Sequence, residues 1–199
     1  MAIYHLHVKV IGRKSGSGAV ASAAYRAGMR LRDERLDHSH DFSAKRGVVH
    51  SDVMLPEKAP EAWSDRERLW NDVEAFEIRK DAQLAREVEF ALPRELTHAQ
   101  GIELARDFVQ AEFVDRGMIA DLNVHWDMAE DGMPKPHAHV MLTTRAVDEN
   151  GFGGFAVWWP SSQYGVSATP PARVAASDCA RPETMPDPNG GKPGCLLSH

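Results

Sequence analysis

The chain has 199 residues, of which 43% are hydrophobic and 26% charged, with a formal net charge of −6. That balance describes an ordinary soluble globular domain with a tail. No apolar run approaches the ~18 residues a membrane span needs, so membrane insertion is not expected. The opening residues carry neither the charged region nor the apolar core of a signal peptide. Cys179 and Cys195 are the only cysteines and offer no disulfide framework, which fits a cytoplasmic location. The acidity argues against a uniformly basic nucleic-acid binder. Residues 1–50, however, hold nine Lys/Arg against four Asp/Glu, enough for a basic face that follows a phosphate backbone.

Residues 3–11 alternate and are rich in β-branched side chains, which predicts a strand with His5, His7 and Lys9 on one face and Leu6, Val8 and Val10 on the other. Gly12 to Gly18 reads as a flexible basic loop whose glycines let backbone N–H groups approach an anion. It lacks the terminal Gly-Lys-Ser/Thr of a nucleotide loop. Ala19 to Gly28 is an alanine-rich helix carrying Tyr25, with Arg26, Arg30 and Arg32 following. Tyr25 either packs its ring on the helix or serves as a phenolic nucleophile beside phosphate-binding arginines. The other tyrosines compete poorly, because Tyr4 points with the apolar face of the first strand and Tyr164 lies in the tail.

Residues 31–47 are polar and read as a surface connection, with His38 and His40 as solvated loop residues. Val48–Leu55 predicts a strand stopped by Pro56. A helical stripe then runs from Ala62 to about Leu84 through Trp63, Leu69, Trp70, Val73, Phe76 and Ile78, with Ser64 or Asp65 as its cap. Residues 86–93 form a further strand on which Glu87 and Glu89 share a face. Carboxylates there either meet water or meet a cation or histidine. Thr97 and Gln100 form a capping box opening a helix through Arg116, with Leu104, Ala105, Phe108, Val109 and Phe113 as its buried face and Gly117 as its end.

Two strands follow, joined by a segment containing Asp131-Gly132 and two prolines. On the second, His137 and His139 project to one side and Ala138, Val140 and Leu142 to the other. If the chain doubles back, His125 arrives opposite that pair. Three imidazoles with no cysteine nearby suit a borderline or hard divalent ion with open coordination positions. The predicted order, β, α, β, α, β, α, β-hairpin, describes an α+β fold with a central antiparallel sheet and helices packed on one side of it.

Three motifs occur in order: Ser22-Ala23-Ala24-Tyr25-Arg26-Ala27-Gly28, then Glu87 to Leu96, then Pro136 to Leu142. With the opening Met-Ala-Ile-Tyr-His, they resemble the MobA/MobL family of conjugative relaxases, TraA-like members in particular, over residues 1–153. The resemblance implies a histidine-hydrophobic-histidine endonuclease fold in which Tyr25 attacks single-stranded DNA at a plasmid transfer origin, leaving a 5′-phosphotyrosyl link. It implies His125, His137 and His139 as ligands of Mg²⁺ or Mn²⁺, and Glu87, with Glu89 as alternative, orienting a ligand imidazole. Lys9, Arg13, Lys14, Arg26 and Arg30 become candidate DNA contacts, with accessory relaxosome and coupling proteins as partners. A rolling-circle replication initiator shares this chemistry but usually places its tyrosine after the histidine pair. A non-catalytic DNA- or metal-binding remnant is the reading from another class. Residues 154–199, rich in proline and glycine, depart from the family and read as a disordered or frame-altered tail.

Overall fold

Alternation of apolar and polar residues along the strands sorts the molecule into layers. The computed structural model describes residues 5–156 apart from Ser17, Asp131 and the side chain of Ser15. The expectations for Tyr4, Tyr164 and most of the tail therefore fall outside the described residues. A five-stranded antiparallel sheet is built from β1 (Leu6–Gly12), β4 (Val48–Met54), β5 (Gln83–Ala91), β6 (Ala120–Met128) and β7 (Pro134–Thr143). Its spatial order is β1-β5-β7-β6-β4. Helices α1 (Ala19–Ala27) and α2 (Arg66–Phe76) cover one face, and α3 (His98–Glu112) covers the other.

Placement of helices on both faces differs from the one-sided packing expected. The reason lies in the strands themselves. On β6, Leu122 and Val124 join Ala105 and Val109 of α3 in one apolar cluster. Asp121 and His125, on the opposite face of that strand, instead bond to side chains or backbone of α2 and α1. Trp70 of α2 is fully buried and donates its indole N–H to Asp121 at 2.8 Å, so its ring is buried without orphaning the polar tip. Helix α3 approaches Trp126 closely enough that a Cβ on Gly101 would lie 2.9 Å from the indole, which calls for a glycine in mid-helix.

The capping box of Thr97 and Gln100 is present, and Asp65 caps α2 by accepting from Arg68 N. Other boundaries shift. The helix expected through Leu84 ends at Phe76, leaving Phe76 46% and Ile78 85% exposed. In α3, Ala105 and Val109 are buried, as is Phe113 just past its end, but Leu104 and Phe108 are not. That helix packs over β4, β6 and β7 and leaves the same face of β1 uncovered, so Leu6, Val8 and Val10 are also exposed. The polar stretch expected to be a connection is a hairpin of β2 (Arg30–Asp33) and β3 (His38–Asp41). Its buried Leu31 and Asp33 alternate with exposed arginines, a period too short-lived to stand out among so many charges. A last hairpin pairs β8 (Arg145–Asp148) with β9 (Gly151–Phe155).

Candidate metal centre and active site

Antiparallel pairing of β6 with β7 sets His125 directly opposite His137, and Asn123 opposite His139. The three imidazoles converge, with ring centroids 5.2, 4.8 and 5.0 Å apart and one nitrogen of each within 4.8 Å of the others. Each ring has its other nitrogen occupied by an acceptor. His139 Nδ1–H donates to Glu87 Oε1 at 2.9 Å, His137 Nδ1–H to the Lys135 carbonyl at 2.9 Å, and His125 Nε2–H to the Arg26 carbonyl at 2.7 Å. Carboxylates and carbonyls bring no proton, so the imidazole must donate at that nitrogen, which leaves the other as the ligating atom of the neutral ring. Burial lowers the pKa of His125 to about 4, with the charges of Lys45, His139 and His137 adding to the effect, and burial likewise lowers that of His137. With Nδ1 or Nε2 of each ring held by an acceptor, the other nitrogens converge as a donor set that fits a divalent cation.

Glu87 is the hub behind this cluster. It is fully buried in the middle of β5, between β1 and β7. Its carboxylate accepts from Arg26 Nε at 2.6 Å, from the terminal nitrogen of the same guanidinium, and from His139, while Lys9 Nζ lies 3.1 Å away. Burial by itself would raise its pKa, but the donors from His139 and Arg26 hold it well below the usual carboxylate range. Glu89 stands further off, 3.8 Å from His139 Nδ1.

Tyr25 is half exposed on α1 while its neighbours Ala24, Arg26 and Ala27 are buried. Arg26, next in sequence, grips the cluster twice, through its guanidinium to Glu87 and through its carbonyl to His125. The tyrosine-bearing turn is thereby tied to the histidines. The basic residues divide. Lys14 and Arg30 are exposed, and Lys9 is 45% exposed at its side chain. Arg26 is buried, and Arg13 spans Glu74 and the Arg79 carbonyl. These two guanidiniums pair with carboxylates inside the protein, Arg13 with Glu74 and Arg26 with Glu87.

Several residues at the site escaped the sequence reading. Asp121 accepts both Arg66 Nε at 2.9 Å and Trp70, and Asn123 donates to it at 2.9 Å. Asp121, Asn123 and His125 form a polar period-two ladder on an otherwise apolar strand, a signal that was available in the sequence. Gly47 (φ +89°) passes so close to Asp127 that a Cβ would overlap its carboxylate, and its carbonyl accepts from Trp126 N at 2.7 Å. The left-handed backbone there favours glycine. Lys45, two residues earlier, reaches Tyr25. His38 and His40, expected in a loop, lie on β3 and take no part in the histidine cluster.

A tyrosine-bearing helix set against three convergent histidines on an antiparallel sheet defines the class of site. Residues 17–170 match the MobA/MobL family, and the chain belongs to that family. It is similar to the conjugal transfer protein TraA of Agrobacterium fabrum, 42% identical over 164 residues, covering 77% of this chain and 14% of that one. It is also similar to the mobilization protein MobL of Acidithiobacillus ferridurans, 38% identical over 172 residues, covering 76% and 45%. A solved structure concerning vancomycin resistance transfer in Staphylococcus aureus superposes with a TM-score of 0.70 at 36% identity, covering 77% of this chain and 75% of that one. The chain thus spans only a small part of TraA. Among the described residues no helix is long and apolar enough to cross a membrane.

Proposed function

We propose that this domain is a conjugative relaxase that cleaves one DNA strand at a plasmid transfer origin, with Tyr25 as nucleophile and His125, His137 and His139 as ligands of Mg²⁺ or Mn²⁺. The observation that carries the reading is the double tie between the tyrosine-bearing turn and the histidine cluster through Arg26. A structural tyrosine on a helix surface has no need of it. In the reaction the Tyr25 phenol oxygen forms a bond to the scissile phosphorus as the bond to the 3′ oxygen breaks. The phenol loses a proton and the departing 3′ oxygen gains one, leaving a 5′-phosphotyrosyl link and a free 3′-hydroxyl. Because one phosphoester replaces another, the step reverses to rejoin the strand.

His125, His137 and His139 would hold a divalent ion, which would polarise the phosphate and offset charge developing on its oxygens. Glu87 holds His139 in the ligating tautomer, Arg26 balances the Glu87 charge in the buried site, and the Lys135 and Arg26 carbonyls do the same orienting work for His137 and His125. Exposed Lys14 and Arg30, with Lys9 at the edge of the Glu87 cluster, lie on the basic first quarter of the chain and serve as phosphate contacts for a single strand. Accessory relaxosome and coupling proteins belong to the same proposal.

Covalent capture tests it. Protein incubated with labelled single-stranded oligonucleotides spanning candidate origins, with Mg²⁺ or Mn²⁺, should give a labelled protein-sized adduct on a denaturing gel. The adduct should vanish with EDTA and with Tyr25→Phe. An adduct that survives Tyr25→Phe would place the nucleophile elsewhere. Metal binding with no adduct from any origin would point to a non-catalytic protein.

A further inference from the structure

The turn after β3, polar and unremarkable in sequence, closes over the exposed tyrosine. Lys45 Nζ donates to the Tyr25 carbonyl at 3.0 Å and sits 3.9 Å from the centroid of the Tyr25 ring. Phe42, three residues earlier, meets the same ring edge-on, with centroids 5.3 Å apart and planes at 88°. The turn is itself fastened, since Lys45 N donates to the Phe42 carbonyl at 2.9 Å and Phe42 N to the Met29 carbonyl at 3.1 Å. Gly28 ends α1 in the left-handed region (φ +62°), and a Cβ there would be 3.6 Å from Lys45 Cβ. Lys45 is therefore packed against the end of the helix rather than waving from a loop.

We propose that Lys45 is a positioning residue for Tyr25: its ammonium, bonded to the tyrosine's own carbonyl and seated on the ring face, works with Phe42 to hold the phenol in one orientation. The inference rests on Tyr25 being the nucleophile. A tyrosine that is 50% exposed on a helix would otherwise exchange rotamers freely, and orientation of a nucleophile is worth large factors in rate. The cation on the ring face favours one rotamer through the ring quadrupole. The carbonyl bond also places the positive charge at the C-terminal turn of α1, where unsatisfied carbonyls and the helix dipole welcome it. Burial draws the Lys45 pKa down, and Asp127, its neighbouring carboxylate, opposes this. Asp127 Oδ2 in turn lies 3.9 Å from His137 Nε2, so the turn bridges the tyrosine and the histidine hairpin.

The competing role is a direct phosphate contact, and the two separate cleanly. Single-turnover adduct formation at saturating oligonucleotide, and oligonucleotide Kd by anisotropy, are measured for Lys45→Met and Lys45→Arg in the full chain. Positioning predicts that Lys45→Met slows adduct formation about tenfold or more with Kd within about twofold, and that Lys45→Arg, which restores a cation for ring and carbonyl, recovers most of the rate. A weaker Kd with an unchanged saturating rate would make Lys45 a DNA contact, and no change in either would overturn the proposal. Should the wild-type chain form no adduct at all, ring resonances of ¹³C-labelled tyrosine, assigned with Tyr25→Phe, still decide. Lys45→Met should shift and average the Tyr25 signals. Signals identical to wild type would overturn the positioning role independently of the nicking reaction.

Discussion

The chain writes the same word twice, His38-Ser39-His40 on β3 and His137-Ala138-His139 on β7, and gives it two fates. In both places the histidine rings stand 5.0 Å apart at an interplanar angle of 78°. The neighbours differ. β7 is the middle strand of the sheet, flanked by β5 with Glu87 and by β6 with His125. One flank therefore supplies a tautomer-fixing carboxylate and the other a third imidazole. Among the described residues β3 pairs with β2 alone. There His40 Nε2 lies 3.6 Å from a buried Asp33 oxygen, and neither atom has a hydrogen-bond partner among the described residues. Motif spacing sets which way the rings point, but a ligand set needs convergence from several strands.

The largest break in that comparison should come from His139→Ala, expected to lower metal affinity by about two orders of magnitude or more, while His38→Ala leaves it within about twofold. Isothermal titration with Mn²⁺ measures both. Equal losses would remove the distinction between the two motifs.

Next is Glu87→Ala. Removing the carboxylate leaves the Arg26 charge buried without its partner, which should cost about 3–5 kcal/mol in chemical denaturation. Metal affinity should fall about 10- to 100-fold as His139 loses its orienting acceptor. Glu89→Ala, further from that imidazole, should change either quantity little. Reversed sizes for the two glutamates would exchange their roles.

A smaller effect follows from protonation. Metal-free protein holds His125 neutral, with its pKa lowered from 6.5 to about 4, chiefly by burial. Between those values the unfolded chain binds more protons than the folded one, so stability rises with pH there. The contribution is complete above about pH 6.5 and is lost as pH falls through about 4. Urea denaturation of EDTA-treated protein across that window should show the loss, and His125→Gln should flatten it. A slope that the substitution leaves intact would assign it to other groups.

The smallest effect belongs to the β2–β3 hairpin. His40→Phe would relieve a buried ring nitrogen that has no partner but would leave the Asp33 oxygen as it is. A change in melting temperature of no more than a few degrees is expected, with metal binding unaltered. Loss of metal binding on this substitution would mean that the second histidine pair communicates with the first.

Much of this was readable from local chemistry. Period two put Glu87 with Glu89 and His137 with His139, the Asp-Gly and proline signals set the hairpin, and Thr97 with Gln100 started α3 where expected. The failures have physical causes too. Phe76 and Ile78 fit a helical stripe, yet α2 stops at Phe76, and Leu104 and Phe108 lie on a part of α3 that the sheet does not cover. The carboxylates that pair with Arg13 and Arg26, Glu74 and Glu87, lie more than sixty residues away, beyond any local pattern. Lys45 gave no signal at all, because its partner is a ring twenty positions earlier.

Side-chain type and spacing along one strand or helix, which depend only on backbone geometry, were therefore settled by the amino-acid order: the histidine pair, the tyrosine on its small-residue helix, the acidic face of β5. Tertiary structure alone decided which carboxylates pair with Arg13 and Arg26, and which polar turn closes over Tyr25. Those outcomes turn on pairing partners and burial across dozens of residues, and a one-dimensional pattern holds no record of distance between them.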